Sequence, residues 1–216
     1  MAHPRPQATP TLRVISQAHI GAQHQTTARQ RLATAAAALL SAGLAHAEPA
    51  SFALDPTHTF VTFEVKHFGT STNRGRFDKK SGSITVDTAA KTGQIDITID
   101  MASINTGTPS FDGHLKSKDF FDAENHPTAT FKSSKITFDG DKITAVDGTL
   151  TMLGKSAPVT LKAEHYGCYE NPRLKRQVCG GDFETTFKRS EFGMTYGVPM
   201  IPDEVKLLIQ VEAIKQ

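Results

Sequence analysis

The side chains with the clearest potential for chemistry are His67, Arg74 and Arg76, which lie close together in the sequence. Arg74 and Arg76 are two residues apart, so their guanidinium groups point to the same side of an extended strand. A guanidinium group is a planar fork of donors that suits a phosphate or a carboxylate, and an imidazole can bind a polar group or carry a charge near neutral pH. The pattern favours recognition of a polar or anionic group. The alternatives are surface arginines and a histidine satisfied within the core.

Other polar residues give weaker signals. His114 and Lys116 could join this group, although a solvated face explains them somewhat better. His58 follows Asp55, and a structural hydrogen bond is its favoured role. The sequence has no G-x-S-x-G, H-E-x-x-H or C-x-x-C motif, and His114 and His126 lack metal-ligand spacing. We therefore predict neither a catalytic residue nor a metal site, and no cofactor.

The element that must position His67 is a strand beginning near Val61. Val61, Phe63, Val65 and His67 share one face of this strand, and polar residues occupy the other face. The apolar face therefore ends in an imidazole. A second clear alternation runs over residues 94–101, and it predicts an inward face made of Ile95, Ile97, Ile99 and Met101.

Similar patterns predict strands over residues 76–87, 128–138, 142–153, 157–166, 182–188 and 204–214, with a bulge at Asp147-Gly148. We expect about eight antiparallel strands with one apolar face each, which fits either a sandwich or a barrel. Residues 110–121 break the alternation. Phe111 and Leu115 are four apart and Ser110 can cap a helix, whereas Gly113 weakens it, so we expect a lid of one or two helical turns.

Residues 1–47 have the pattern of a secretory signal peptide with an extended n-region. Arg29 and Arg31 precede an apolar run over residues 32–44, which Ala45-His46-Ala47 closes as a small-x-small cleavage site. The run of about 13 residues is shorter than the roughly 20 that span a bilayer. Cleavage near Ala47 predicts one periplasmic or secreted domain, residues 48–216, without a transmembrane segment. The alternative is a disordered tail followed by a short helix.

The charge balance gives no sign of a nucleic-acid partner, and we predict none. The whole chain has a formal net charge of +2, but its first 47 residues contain four arginines and no acid, so the remainder carries −2. No basic run interleaved with aromatic residues remains after this segment is removed.

Cys168 and Cys179 are the two cysteines of the sequence. In an oxidising compartment a pair this close is most simply a disulfide, which would close a loop of about 12 residues. A metal site would need more ligands than the neighbouring His165 supplies, and a redox pair usually shows C-x-x-C spacing. We therefore predict a structural disulfide between Cys168 and Cys179.

Several motifs together resemble one known family. Asp55-x-x-His58, Phe63-x-Val65-Lys66-His67 and Arg74-Gly75-x-Phe77 are similar to the opening signature of the YceI family, bacterial envelope proteins with a lipocalin-like barrel that bind isoprenoid or other long-chain lipids. The further matches are Ser103-Ile104-x-Thr106, His114-Leu115-x-Ser117-x-Asp119-Phe120-Phe121-Asp122, His126-Pro127 with Phe131, Gly148-x-Leu150-Thr151-x-x-Gly154 and Arg189-x-x-Phe192-Gly193. The resemblance covers nearly everything after Ala50, and it implies a barrel and not a sandwich.

The resemblance also implies a function. It predicts an all-β, antiparallel, eight-stranded lipocalin-like barrel with a short helical lid that sequesters or carries one isoprenoid or fatty-acid-like ligand, with a homodimer possible. The many phenylalanines would suit an alkyl or prenyl chain, or they could simply fill the core. The expected ligand-binding residues are Phe63, Val65, His67, Arg74, Arg76, Phe77, Ile97, Ile99, His114, Phe121 and Phe131.

Two alternatives share the same shape. One is a lipid-acting enzyme, such as an isomerase or a cyclase, that uses a cavity histidine as acid or base. The other is a barrel with a solid core that serves as a partner module in the cell envelope. A cavity inside the barrel would separate the last alternative from the other two.

Overall fold

Period-two alternation dominates the chain, and the computed structural model, which describes residues 49–216, consists mainly of antiparallel strands. The strands are β1 (Ala50–Leu54), β2 (Phe60–His67), β3 (Ser71–Phe77), β4 (Lys80–Asp87), β5 (Thr92–Asp100), β6 (Ile104–Asn105), β7 (Thr128–Asp139), β8 (Lys142–Met152), β9 (Lys155–Asn171), β10 (Arg176–Lys188) and β11 (Glu204–Lys215). One α-helix, α1 (Pro109–Lys116), and two 3-10 turns, Met101–Ser103 and Arg189–Phe192, complete the structure of these residues.

Eight strands form a closed ring in the order β1-β4-β5-β7-β8-β9-β10-β11, and the pairing of β1 with β11 closes it. Phe52 lies opposite Lys215 at this closure. The predicted antiparallel eight-stranded barrel is therefore confirmed. The other strands, β2, β3 and β6, extend from the first half of β11.

The register of β11 defines two ends of the barrel. Lys206, near its start, lies opposite Glu64 of β2, whereas Ile214, near its finish, lies opposite Val178 of β10. Because these pairs are antiparallel, the end of β2 at His67 lies beside the start of β11. We call this the His67 end. The opposite end carries the turn between β9 and β10, and we call it the hairpin end.

The apolar side chains that the strands turn inward form two packed clusters. The first lies toward the His67 end and includes Phe63, Phe77 and Phe192. The second lies toward the hairpin end and includes Phe131 and Phe183. A Cβ atom at Gly75 would lie 2.5 Å from the ring of Phe63, so glycine allows that ring to pack against β3.

The structure differs from the prediction at several elements. β9 and β10 continue through the cysteines, where the sequence predicts a loop, because Val178 and Cys179 are buried and β10 pairs there with both β9 and β11. β1 was not predicted, and residues 76–87 are split between β3 and β4. The bulge lies on β7 at Ser134, opposite the predicted Asp147-Gly148.

The helix is close to the expected position but begins earlier. Thr108 is its N-cap, in place of the predicted Ser110, and Pro109 occupies the first turn. Proline suits this position because its missing N–H would have no partner within the helix. α1 therefore has about two turns, as expected.

Cys168 and Cys179 lie directly opposite each other on β9 and β10, and their sulfur atoms are 2.07 Å apart. This places the predicted disulfide across two paired strands and not at the base of a loop.

The predicted signal peptide, residues 1–47, lies outside the residues that the structure describes, and it remains a prediction. Within residues 49–216, no helix is both long enough and apolar enough to span a membrane.

Candidate ligand-binding cavity

Two cavities lie inside the barrel. One of about 240 Å³ lies at the His67 end, and one of about 140 Å³ lies toward the hairpin end. The two cavities are neighbours along the barrel axis, because four side chains line both of them. These side chains are Val61, Ile99, Leu150 and Leu207. The interior is therefore not filled by its own side chains.

The walls are apolar because each strand turns alternate side chains inward. The predicted inward face of β5 is confirmed: Ile95, Ile97 and Ile99 line the smaller cavity, and Ile99 and Met101 line the larger one. Walls of this kind exclude water but offer an apolar chain close contacts without requiring directional partners.

A cluster of aromatic rings forms part of the wall of the larger cavity. Helix α1 contributes Phe111, His114 and Leu115 to its wall. The ring of His114 lies edge-on to Phe120 and to Tyr196, with centroid distances of 5.0 and 5.6 Å, and Phe120 and Tyr196 are 5.3 Å apart. The helix predicted as a lid, α1, therefore packs through His114 against Phe120 and Tyr196, and the three rings contact one another edge to face.

Few polar side chains face the larger cavity. His67 and Asn73 line it from β2 and β3, and His114 lines it from α1. The imidazoles of His67 and His114 are both exposed toward solvent, so they lie at the cavity mouth. This arrangement can hydrogen-bond a polar group while an apolar chain lies deeper in the barrel.

Arg189 is a buried charged residue that also lines the larger cavity, with only 2% of its surface exposed. Its guanidinium group donates to the carbonyl oxygens of Pro202, Ile201 and Met194 at 3.0, 3.0 and 3.1 Å. Burial lowers the pKa of this group, while the charge of Asp203 acts in the opposite direction. Arg189 therefore fixes the loop before β11 and is committed to backbone contacts. In the sequence it was visible only as part of a motif, because nothing marked its carbonyl partners.

Three polar side chains line the smaller cavity, and the sequence analysis identified none of them as site residues: Thr59, Lys80 and Tyr166. The Lys80 ammonium donates to the carbonyl oxygen of Pro56 at 3.1 Å, and burial lowers its pKa. Thr59 donates to the carbonyl oxygen of Glu212, and burial raises the pKa of the Tyr166 hydroxyl. This cavity therefore carries one cationic group at its edge.

The structure places most of the predicted ligand-binding residues in these walls. The larger cavity is lined by Phe63, Val65, His67, Phe77, Ile99, His114 and Phe121, and the smaller one by Ile97, Ile99 and Phe131. Their contact with a ligand remains a prediction.

Arg74 and Arg76 lie elsewhere. They share one side of β3, as predicted, but Gly75 and Phe77 take the inward positions, so both arginines face outward. Arg74 pairs with Glu64 at 2.6 Å, and Arg76 pairs with Asp78 at 2.7 Å and lies over the ring of Phe60. They line neither cavity, and we assign them no contact with a ligand held there.

Among the described residues, one group of side chains has the atoms and spacing to bind a metal ion. It consists of Asp55, His58 and Glu212, whose possible ligand atoms lie within 4.8 Å of one another. His58 Nδ1 lies 2.8 Å from Asp55 Oδ2, and Asp55 also accepts hydrogen bonds from the backbone and hydroxyl of Thr57. This network accounts for the Asp55-x-x-His58 motif as a turn between β1 and β2. A structural hydrogen bond for His58 was the favoured interpretation of the sequence.

The same network predicts a measurable titration. Hydrogen bonds from Thr57 and then His58 lower the pKa of Asp55 to about 2, and the bond to Asp55 raises the pKa of His58 above 6.5. The stabilisation by Asp55 is present above pH 3.8 and is lost as the pH falls toward 2. The stabilisation by His58 is present below pH 6.5 and is lost as the pH rises through the raised pKa.

We expect Asp55→Asn to lower the pKa of His58 toward 6.5, because the carboxylate partner is removed. NMR titration of the imidazole protons measures this pKa. An identical His58 pKa in Asp55→Asn and the wild-type protein would show that the hydrogen bond does not form in solution.

Comparison with known proteins bears on this barrel. Residues 52–213 match the sequence model of the YceI-like domain. A UPF0312 protein of Pseudomonas aeruginosa is 34% identical over 180 residues, which cover 83% of this chain and 93% of the relative.

Solved structures give the same picture. The crystal structure of BcnA from Burkholderia cenocepacia is 30% identical with a TM-score of 0.61, covering 74% of this chain and 98% of BcnA. A domain from Saccharophagus degradans, described as a polyisoprenoid binding domain implicated in plant cell wall breakdown, is 16% identical with a TM-score of 0.54. It covers 76% of this chain and 98% of that domain. The last similarity supports the fold alone.

Proposed function

The chain belongs to the YceI family, and from that premise we propose that it holds one long apolar molecule, an isoprenoid or a fatty-acid-like lipid, inside its barrel. The observation that carries the proposal is the pair of apolar cavities inside the barrel, which share four wall residues. The protein would act by equilibrium sequestration or carriage of its ligand.

The size of the cavities favours a slender ligand. Pockets for drug-sized molecules usually have volumes of about 300–1,000 Å³. Each cavity is smaller than this range, and the two together fall near its lower end. A single hydrocarbon chain lying along both cavities would fit this space. Burial of each methylene contributes about 0.8 kcal/mol, so the chain supplies most of the affinity.

The distribution of polar groups orients the ligand. His67, Asn73 and His114 lie together in the wall of the larger cavity, and the two imidazoles are exposed at its mouth. We therefore place a polar head at the His67 end and the tail toward the hairpin end. The two cavities argue against the alternative of a solid core. We propose binding without chemical change of the ligand.

We propose that this binding takes place in the periplasm or outside the cell. The leader-like pattern of residues 1–47 supports this location. The disulfide between Cys168 and Cys179 is compatible with it, because disulfides persist in oxidising compartments.

A titration with a fluorescent fatty-acid analogue tests the proposal. The wild-type protein should bind the probe at one site per chain, and a long-chain isoprenoid alcohol should displace it and be recovered unchanged. Failure of the pure protein to bind the probe or the alcohol would contradict sequestration. Recovery of an isomerised or cyclised alcohol would favour the enzyme alternative.

The head-group assignment gives a separate prediction. His67→Ala should weaken binding of a long-chain alcohol by about fivefold, which corresponds to one net hydrogen bond. Arg74→Ala is the matched control, because Arg74 lies outside the cavities and pairs with Glu64. Competition titrations measure both effects. A loss in Arg74→Ala with none in His67→Ala would reverse the assignment.

A further inference from the structure

Four large apolar side chains are exposed at the His67 end. Phe68 and Met200 have 56% and 66% of their surface exposed, and Tyr196 and Val198 are also exposed. Phe68 lies in the turn between β2 and β3, and the others lie in the loop of residues 195–202. Exposed apolar groups that cluster on one surface mark interaction sites more often than isolated ones do.

The two segments are neighbours in space. Glu64 lies opposite Lys206 in the pair of β2 and β11, so the turn after His67 lies beside the loop that precedes Glu204. We call the turn of residues 67–71 and the loop of residues 195–202 together the apolar rim.

The backbone at Phe68 adopts a conformation that a bulky residue rarely takes. Phe68 has a φ of 49°, and Gly69, which follows, has a φ of 69°. A positive φ is unfavourable for a bulky residue, and Asn or Gly usually occupies such a turn. Because the ring remains mostly exposed, its burial within the fold offsets little of this cost. An apolar phase outside the protein would supply the missing burial.

The apolar rim is continuous with the larger cavity. His67 lines that cavity, and its ring contacts Phe68 at a centroid distance of 4.6 Å. Tyr196 and Ile201 line the same cavity from the loop. An apolar chain could therefore pass from the surface into the cavity without crossing a charged belt.

The apolar rim carries no formally charged side chain. Residues 67–71 and 195–202 include no lysine, arginine or carboxylate, and Lys66 directly precedes the first segment, while Glu64 and Asp203 lie outside both. Lysines next to a bilayer are attracted by anionic headgroups, whereas carboxylates would be repelled.

We propose that the apolar rim docks on a lipid bilayer, with Phe68 and Met200 inserted among the headgroups, while a lipid enters or leaves the larger cavity. This inference rests on the proposed function. It assigns the surface to a membrane and not to a protein partner, because the rim joins exposed apolar side chains to a cavity for apolar chains and carries no acid.

Sedimentation with vesicles of phosphatidylethanolamine and phosphatidylglycerol tests the docking surface. The wild-type protein should sediment with the vesicles, and the double variant Phe68→Ser with Met200→Ser should partition roughly tenfold less, since two apolar side chains are lost from the contact. Neither residue lines a cavity, so the fluorescent fatty-acid analogue should bind the double variant in solution as it binds the wild type.

Leu174→Ser is the matched control, because Leu174 is exposed to 48% but lies at the hairpin end. It should sediment like the wild type. Equal sedimentation of the double variant and the wild type would overturn the proposal. A wild-type protein that binds the probe but not the vesicles would overturn docking and leave the proposed function intact, whereas one that binds neither would overturn both. Cross-linking of the rim to an envelope protein in place of vesicle binding would assign it to a protein partner.

Discussion

Replacement of Ile99 by tryptophan is expected to abolish most binding of the fluorescent fatty-acid analogue while the barrel remains folded. Ile99 lines both cavities, so a larger side chain at this position projects into the space between them. If the indole displaces roughly three methylenes, each contributing about 0.8 kcal/mol, the affinity falls by roughly fiftyfold. Extra volume in a packed core usually destabilises, but here it fills a void, so the midpoint of urea unfolding should stay near that of the wild type.

Thr98→Trp is the matched control for this variant. Thr98 precedes Ile99 on β5 and points to the opposite side of the strand, so the same indole would lie outside the cavities. Because the natural sequence has no tryptophan, fluorescence of the new indole reports its burial in each variant. Wild-type affinity in Ile99→Trp together with a buried indole would show that no ligand passes this position.

Replacement of Arg189 by methionine is expected to cause the largest loss of stability. The change leaves the carbonyl oxygens of Met194, Ile201 and Pro202 without their donor. Buried acceptors that lose a charged donor each cost about 1–3 kcal/mol, and partial access to water reduces the sum, so we expect a loss of about 3–5 kcal/mol in the free energy of unfolding. Urea denaturation measures this difference.

Arg74→Met provides the comparison for Arg189→Met. Arg74 is exposed to 62% on its side chain and forms a surface ion pair with Glu64, which is worth about 0–1 kcal/mol. Equal and small losses in the two variants would show that Arg189 does not hold the loop before β11. Because that loop carries Tyr196 and Ile201, we also expect weaker probe binding in Arg189→Met only.

Alternation along single strands made much of the barrel predictable. The inward face of β5 follows directly from the period-two pattern of Ile95, Ile97 and Ile99, and these residues line the cavities. β2 likewise brings Phe63, Val65 and His67 to one face, ending at the cavity mouth. The choice of a barrel over a sandwich came from the family motifs, because alternation does not determine which strands close the ring.

The interior face of β3 was not predictable from residue types alone. Arg74 and Arg76 do lie on the same side of β3, as predicted. Which side of the strand faces the cavity depends on the packing of Gly75 under the ring of Phe63. That contact joins two strands, so no local pattern shows it.

Arg189 illustrates a second limit. Its three acceptors come from residues 194, 201 and 202, in a loop whose path depends on the tertiary fold. The hairpin end is a third case, because β9 and β10 continue there through pairing with each other and a disulfide, and few apolar residues alternate along either strand in the sequence. The position of the signal peptide rests on the sequence pattern of residues 1–47 and remains a prediction.

Native mass spectrometry of the protein purified from its own cells tests the central claim most directly. If the two cavities hold one apolar chain, the spectrum should show the polypeptide with a single additional mass that an organic solvent releases as a lipid. A spectrum of the bare polypeptide alone, unchanged after incubation with a long-chain isoprenoid alcohol, would contradict a lipid-holding interior.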